Sequence, residues 1–227
     1  INNKKISLLL NKISSKKFDV LSDKLIEIIC DNESYLTFTI TKLFNLATEQ
    51  HLLTPVYSNL CLKLTSKYTN VKSTILQKCK EHYKKYNIQK DNNEEQNNYQ
   101  KYDKLCKKNK EKLKLIGIFH LVGELYKQKL VENIVIEKYY DLLFINLEKS
   151  NGELREQYIE CLKEFNIKVG KQFKSTEETK FTKIFSKIKE YNNPNYEIKF
   201  TNREKFMFMD IIDLFYIFFK LNIIYII

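Results

Sequence analysis

The pattern of apolar residues is most regular in residues 112–130, with the sequence KLKLIGIFHLVGELYKQKL. Apolar side chains recur there at the i, i+3, i+4 and i+7 spacing of one helix face, at Leu115, Ile118, Phe119, Val122, Leu125 and Tyr126. The rest of the helix circumference is mostly apolar as well, because it carries Ile116, Leu121 and Leu130. A helix that is apolar on nearly all sides needs neighbours on both sides. The pattern therefore predicts a central helix in a layered, all-helical array.

Two glycines, Gly117 and Gly123, lie inside this predicted helix. Each costs a helix about 1 kcal/mol relative to alanine. That cost is tolerable if the missing side chain lets a neighbouring helix approach closely. The glycines thus predict a close helix–helix contact.

Similar apolar stripes predict further helices on both sides of the central one. Before it, helices are predicted over residues 4–13, 17–30 and 33–50, from Thr54 onward, and over residues 71–86. After it, they are predicted over residues 132–147 and 153–173 and then from Ser175 and Thr201. The patterns Ser175-x-x-Glu178 and Thr201-x-x-Glu204 resemble capping boxes, which begin helices.

These helices group into five pairs, whose second members start near Lys17, Thr54, Lys110, Glu153 and Arg203. The spacing of roughly 37–55 residues is close to the ~40–47 residues of a HEAT repeat, once an insertion is allowed for. The predicted fold is therefore all-α, an α-solenoid of about five HEAT-type antiparallel helix pairs.

The helical pattern breaks between about residues 87 and 109, which are polar and rich in asparagine. Such a composition buries too little apolar surface to repay the entropy lost on folding. We therefore predict a disordered insertion within one domain that spans residues 1–214.

The composition narrows the class of protein. Four glycines and two prolines among 227 residues are too few for a turn-rich β protein. The net charge of +11 suggests an acidic partner such as RNA, although a lysine- and asparagine-rich mixture also arises from an AT-biased genome. The five scattered cysteines include no CxxC pair, which favours a reducing compartment. The chain opens at Ile1 without a signal peptide, so we expect it to be part of a longer protein.

Candidate catalytic and metal-binding residues are few. The pair Cys79 and His82 has no second half at zinc-site spacing, and no phosphate-binding or dinucleotide-binding glycine motif occurs. We interpret Cys30, Cys61 and Cys161 as small buried apolar residues, and His120 as a core or groove histidine. The sequence therefore predicts a protein that is not an enzyme and needs no metal or cofactor.

Lysines cluster on both sides of the predicted insertion and form a candidate phosphate-binding patch. The candidate RNA-binding residues are Lys78, Lys84, Lys85, Lys108, Lys110, Lys112 and Lys114. A solvated face in a lysine-rich protein is the alternative interpretation. Because no aromatic residues alternate with these lysines to stack on bases, any RNA binding is expected to be weakly sequence-specific.

Several segments occur in an order that resembles a known family. They are LNKISSKKFDVLSDKL from Leu10, TPVYSNLC from Thr54, ILQKCKEHY from Ile75, GIFHLVGELYKQKLV from Gly117 and REKFMFMDIIDL from Arg203. This order resembles the HEAT-repeat middle domain of eukaryotic translation initiation factor 4G. Similar middle domains occur in factors of nonsense-mediated decay and of poly(A)-binding-protein interaction.

The resemblance implies a scaffold domain of cytoplasmic translation initiation. In the family, this domain clamps the DEAD-box RNA helicase initiation factor 4A, contacts RNA and supports mRNA recruitment, while other initiation factors bind elsewhere on the protein. It implies a helicase-facing edge at Asn11, Lys12 and Glu49, and it matches Arg203 and Lys205 to a basic edge that meets the other helicase lobe.

The sequence departs from the family pattern at two places. Ile118 and His120 stand where the family commonly has an asparagine and a basic residue, and Phe215 follows Asp213-Leu214 where the family commonly has an arginine. Two other classes stay open: a membrane-associated protein anchored by its apolar tail, and a self-contained RNA-binding module without a helicase partner.

The apolar tail, residues 215–227, is shorter than the ~20 residues that span a bilayer, and Lys220 interrupts it. It is either an extension of the last helix or sequence foreign to the fold, because the resemblance ends at Leu214. Removal of the tail after Leu214 is accordingly expected to leave the melting temperature about the same.

Overall fold

The computed structural model of the protein describes residues 2–30, 32–86 and 98–220, with side chains for residues 2–30, 32–86 and 113–219. These residues form ten α-helices and two short 3-10 helices, Ser15–Lys17 and His51–Leu53, and contain no strand. The α-helices are α1 (Asn2–Lys12), α2 (Phe18–Ile29), α3 (Glu33–Glu49), α4 (Thr54–Thr65), α5 (Val71–Tyr86), α6 (Asn98–Lys127), α7 (Asn133–Lys149), α8 (Gly152–Thr176), α9 (Glu178–Tyr191) and α10 (Asn202–Lys220). The predicted all-α class and the succession of five helix pairs are confirmed.

The chain divides into two compact units, Ile1–Glu132 and Asn133–Ile227. The first unit contains α1 to α6 and the second contains α7 to α10. Whether residues 1–214 behave as a single domain stays a prediction.

Helix α6 is central to the core of the first unit, where it packs against α3 and α4. The nine apolar positions of the predicted central helix are all buried, namely Leu115, Ile116, Ile118, Phe119, Leu121, Val122, Leu125, Tyr126 and Leu130. Leu130 lies just beyond α6, which ends at Lys127 rather than at the predicted residue 130. A Cβ atom built on Gly117 would overlap the backbone carbonyl of Ala47 in α3. The predicted close helix–helix contact is therefore present at Gly117.

Helix α6 begins at Asn98, further toward the N-terminus than the sequence pattern indicates. Residues 98–109 of the predicted insertion consequently belong to the backbone of this helix. Residues 87–97 lie outside the described part of the chain, so the disorder of the insertion stays a prediction.

Aromatic side chains fill the core of the second unit. The ring of Tyr140 meets that of Phe165 at 5.1 Å, and its hydroxyl donates to Asn166 Oδ1 at 2.9 Å. The hydroxyl of Tyr191 donates to Glu148 at 2.6 Å, and burial together with this carboxylate raises the pKa of Tyr191. Each hydroxyl therefore has a hydrogen-bond acceptor although it lies among apolar side chains, as buried polar groups require.

One of the two predicted capping boxes is confirmed. The backbone N–H of Thr201 donates to Glu204 Oε2 at 2.7 Å, and that of Glu204 donates to Thr201 Oγ1 at 3.2 Å. The box at Ser175 is wrong, because α8 continues to Thr176 and the Ser175 hydroxyl donates to a carbonyl within that helix. The buried Phe173 extends the apolar stripe of α8 into this turn, which favours continuation of the helix over a new start.

The apolar tail begins as part of the last helix, since α10 runs to Lys220. Phe215 is fully buried, and its ring lies 4.5 Å from that of Phe181 and 5.0 Å from that of Phe185. These contacts contradict the expectation that the chain is equally stable without everything after Leu214. Residues 221–227 lie outside the described residues. No helix in the described ranges combines the length and apolar content needed to cross a bilayer.

Candidate binding surfaces

The first candidate surface lies at one edge of the first unit. Asn11 and Lys12 are exposed at the C-terminal end of α1, and Glu49 is the exposed last residue of α3. The connections between α1, α2 and α3 are short, so successive helices reverse direction and α1 and α3 run the same way. Because α1 also packs against α3, we infer that the three side chains share one edge, called here the unit 1 edge.

The chain after Glu49 is held in place by several contacts. Gln50 donates its N–H to the carbonyl of Leu46, and its side-chain oxygen accepts a hydrogen bond from Tyr57 at 2.9 Å. Burial, assisted by the negative charge of Glu49, raises the pKa of Tyr57 to about 12. Within the part of the chain that the structure describes, neither Lys12 nor Glu49 has an ion-pair partner. Both charges of the unit 1 edge are therefore available to a binding partner.

Arg203 and Lys205 belong to the second unit, in the first turn of α10. The side chain of Arg203 is 77% exposed, and its Nε lies 3.3 Å from a carboxylate oxygen of Glu156 on α8. An exposed ion pair of this kind contributes about 0–1 kcal/mol, so a partner can displace it at little cost. Lys205 is half-buried.

Of the candidate RNA-binding lysines, three are exposed in the described part of the chain. Lys84 and Lys85 lie in the last turn of α5, and Lys114 lies on α6. Lys78 instead forms a 2.7 Å ion pair with Glu81, and this hydrogen bond lowers the pKa of the Glu81 carboxyl. The side chains of Lys108, Lys110 and Lys112 lie outside the described residues.

Of the four cysteines whose side chains the structure describes, three are buried. Cys61, Cys79 and Cys161 are buried, and burial raises the pKa of the Cys61 thiol to about 12, which keeps it unreactive at neutral pH. The prediction for Cys30 is wrong: this residue is exposed, because it ends α2 in a left-handed conformation with φ of 39°.

The histidines belong to packed surroundings. His82 stacks on the rings of Phe44 and Tyr86, and burial, assisted by Lys85, lowers its pKa to about 4. His120 is buried, as predicted, with its ring 5.8 Å from that of His51. Among the described residues, no group of three or more histidines, cysteines and carboxylates could hold a metal ion.

The ten packed helices and the exposed charged residues at their ends are typical of helical-repeat proteins that bind partners through their surfaces. Comparison with protein families gives a match to the MIF4G domain over residues 3–215. The chain belongs to the MIF4G domain family, and the resemblance predicted from the sequence is confirmed.

The relatives that the comparison identifies are translation initiation factors. Eukaryotic translation initiation factor 4 gamma of Dictyostelium discoideum is 22% identical over 93% of this chain and 18% of that protein. Eukaryotic translation initiation factor 4G of Cucumis melo is 24% identical, and that of Oryza sativa subsp. japonica is 23% identical; each match covers 93% of this chain and 12% of the relative. The chain therefore spans less than a fifth of the length of these relatives.

Proposed function

We propose that this chain is a non-catalytic scaffold domain of cytoplasmic translation initiation. In this proposal it binds the DEAD-box RNA helicase initiation factor 4A and RNA, and it thereby supports mRNA recruitment to the ribosome. The observation that carries the proposal is the MIF4G match over residues 3–215, together with relatives that are initiation factors. A related scaffold of nonsense-mediated decay or of poly(A)-binding-protein interaction is the second candidate, because such factors use the same kind of middle domain.

The unit 1 edge supports helicase binding through its charge and its exposure. A cation, Lys12, and an anion, Glu49, stand on the exposed ends of two adjacent helices. Such a pair selects a partner surface with the opposite arrangement of charges, since like charges that meet across an interface cost several kcal/mol. Arg203 offers the second unit's contact to the other helicase lobe.

The triple variant Asn11→Ala, Lys12→Glu and Glu49→Lys tests the unit 1 edge. We expect it to melt like the parent, because exposed charges contribute well under about 1 kcal/mol to folding. Helicase affinity should fall on the order of 100-fold, since both charges now face like charges. Pull-down with the helicase after RNase treatment, followed by titration, measures the effect.

Two controls accompany this variant. The matched exposed set Asn3→Ala, Lys72→Glu and Glu27→Lys changes the same charges elsewhere in the first unit and should bind like the parent. Leu125→Asp buries an unpaired charge in α6 and should lose folding and binding together. Parental affinity of the triple variant would remove these three residues from the helicase interface.

The exposed lysines Lys84, Lys85 and Lys114 are the proposed RNA contacts of the first unit. Replacing all three with glutamate should weaken binding to unrelated single-stranded RNAs alike, because phosphate contacts carry no sequence information. The slope of log affinity against log salt should flatten by roughly 0.7 for every phosphate that the variant no longer neutralises.

A control with the same charge change separates local contacts from net charge. Lys138, Lys171 and Lys183 are exposed in the second unit, and their replacement by glutamate should leave the salt slope nearly unchanged. Equal effects of the two triple variants would show that only the net charge of the chain attracts RNA.

A further inference from the structure

The most exposed large apolar side chain in the described part of the chain lies beside the unit 1 edge. Leu52 is 80% exposed. It follows Glu49 by three residues, which keeps the Cα atoms of the two residues within about 11 Å of each other. Glu49 is the last residue of α3, and Leu52 lies in the short connection from α3 to α4. An aliphatic side chain therefore stands next to the exposed charges of this edge.

The backbone around Leu52 is fixed on both sides. Leu52 is the middle residue of the 3-10 helix that begins at His51, where Leu53 donates its N–H to the carbonyl of Gln50 at 2.9 Å. After it, the Thr54 hydroxyl donates to the carbonyl of His51 at 2.8 Å. This 3-10 helix also packs against α3, α4 and α6. Because Leu52 protrudes from an ordered connection, binding through it costs little further conformational entropy of the backbone.

The residues on either side of Leu52 contribute to the interior of the first unit. The ring of His51 lies 5.8 Å from that of the buried His120, and Thr54 is fully buried. Leu52 itself keeps most of its surface in water. An uncharged substitution at Leu52 should therefore leave folding unaffected, so that a role in binding can be separated from one in stability.

The chemistry of Leu52 narrows the kind of partner that covers it. An aliphatic side chain neither neutralises phosphates nor stacks on bases, so it adds nothing to RNA binding. One leucine is also far too small for a stable contact between two copies of the chain, which takes about 800 Å² on each partner. An apolar residue that is continuous with polar and charged ones instead matches the centre and rim of an interface with another protein.

We infer that Leu52 is an apolar anchor of the unit 1 edge and inserts into an apolar depression on the surface of the helicase. The inference rests on the proposed function, since it takes the helicase as the partner of this edge. Lys12 and Glu49 select the orientation of the helicase through their charges. Leu52 adds affinity through burial of apolar surface, which does not depend on salt in the way that charge pairs do.

Leu52→Ala tests the anchor without a change of charge. We expect it to melt like the parent and to bind the helicase about tenfold more weakly in titration, because it removes most of the apolar surface of the side chain. This loss should be the same at low and high salt, whereas the loss in the triple variant of the unit 1 edge should shrink as salt is added. Leu52→Met, which conserves the volume, should recover most of the affinity.

Leu62→Ala is the matched control, since Leu62 is an exposed leucine near the other end of α4, and it should bind the helicase like the parent. The inference is overturned, and the proposed function stands, if the triple variant weakens binding but Leu52→Ala binds like the parent. It is also overturned if Leu52→Ala lowers the melting temperature along with the affinity, or if Leu62→Ala loses as much affinity. A parent chain that binds no helicase would refute the proposed function and this inference with it.

Discussion

Cutting the chain after Leu214 should lower the free energy of unfolding of the second unit by several kcal/mol. Phe215, which is fully buried between the rings of Phe181 and Phe185, would be absent. Removing one buried phenylalanine side chain alone costs about 3–5 kcal/mol through reduced burial and the cavity that remains. We therefore expect Phe215→Ala to account for much of the effect of truncation.

A buried charge adds to that destabilisation. Lys174 is 5% exposed, its ammonium donates to the carbonyl of Phe218, and it lies 4.5 Å from the centre of the Phe219 ring. Truncation would remove both partners and leave the ammonium without them, which is costly in an apolar site. A chain that ends at Lys220 keeps all of these interactions and should be more stable than the chain cut after Leu214.

Urea denaturation followed by circular dichroism measures these differences. Ile217→Ala, at an exposed position two residues further along α10, is the matched control and should change stability by less than about 0.5 kcal/mol. If the chain truncated after Leu214 unfolded at the same urea concentration as the parent, Phe215 and the residues after it would not contribute to the core of the second unit.

The second large effect is expected at Gly117, where two physical effects oppose each other. Helix propensity alone predicts that Gly117→Ala stabilises α6 by about 1 kcal/mol. The new Cβ, however, would overlap the backbone carbonyl of Ala47, which cannot rotate away as a side chain can. Overpacking of a core typically costs about 1–3 kcal/mol, and a backbone neighbour places this site at the upper end. The substitution should therefore be destabilising.

Whether Gly117→Ala raises or lowers the melting temperature decides which of the two effects is larger. Thermal unfolding of Gly117→Ala should occur well below that of the parent, whereas Lys114→Ala, at an exposed position of α6, should leave it nearly unchanged. A melting temperature above that of the parent would contradict the close approach of α3 and α6.

The sequence predicts well those features that depend on local periodicity. The stripe of α6 and the capping box at Thr201 follow from residues within four positions of one another, and both are present. The end of α8 and the exposure of Cys30 depend on which neighbours a residue meets, and both predictions failed. The second capping pattern is chemically as good as the first, but a buried Phe173 outweighs it.

Pairings between distant residues could not be predicted from spacing. The ion pair between Arg203 and Glu156 joins residues on different helices, and the alignment of α8 with α10 is set by the packing of the whole second unit.

Helices α8 and α10 run parallel, because the contacts Lys163–Asp210 and Lys174–Phe218 follow each other in the same direction along both helices. This alignment restricts how this part of the chain can change in length. One residue inserted between Arg203 and Asp210 would turn everything after it by about 100°, carrying Phe215 out of the core and separating Asp210 from Lys163. Insertions in the connection between α9 and α10 leave that helical phase intact. Diverging copies of this domain should accordingly change in length within their connections, while the lengths of the paired helices stay fixed.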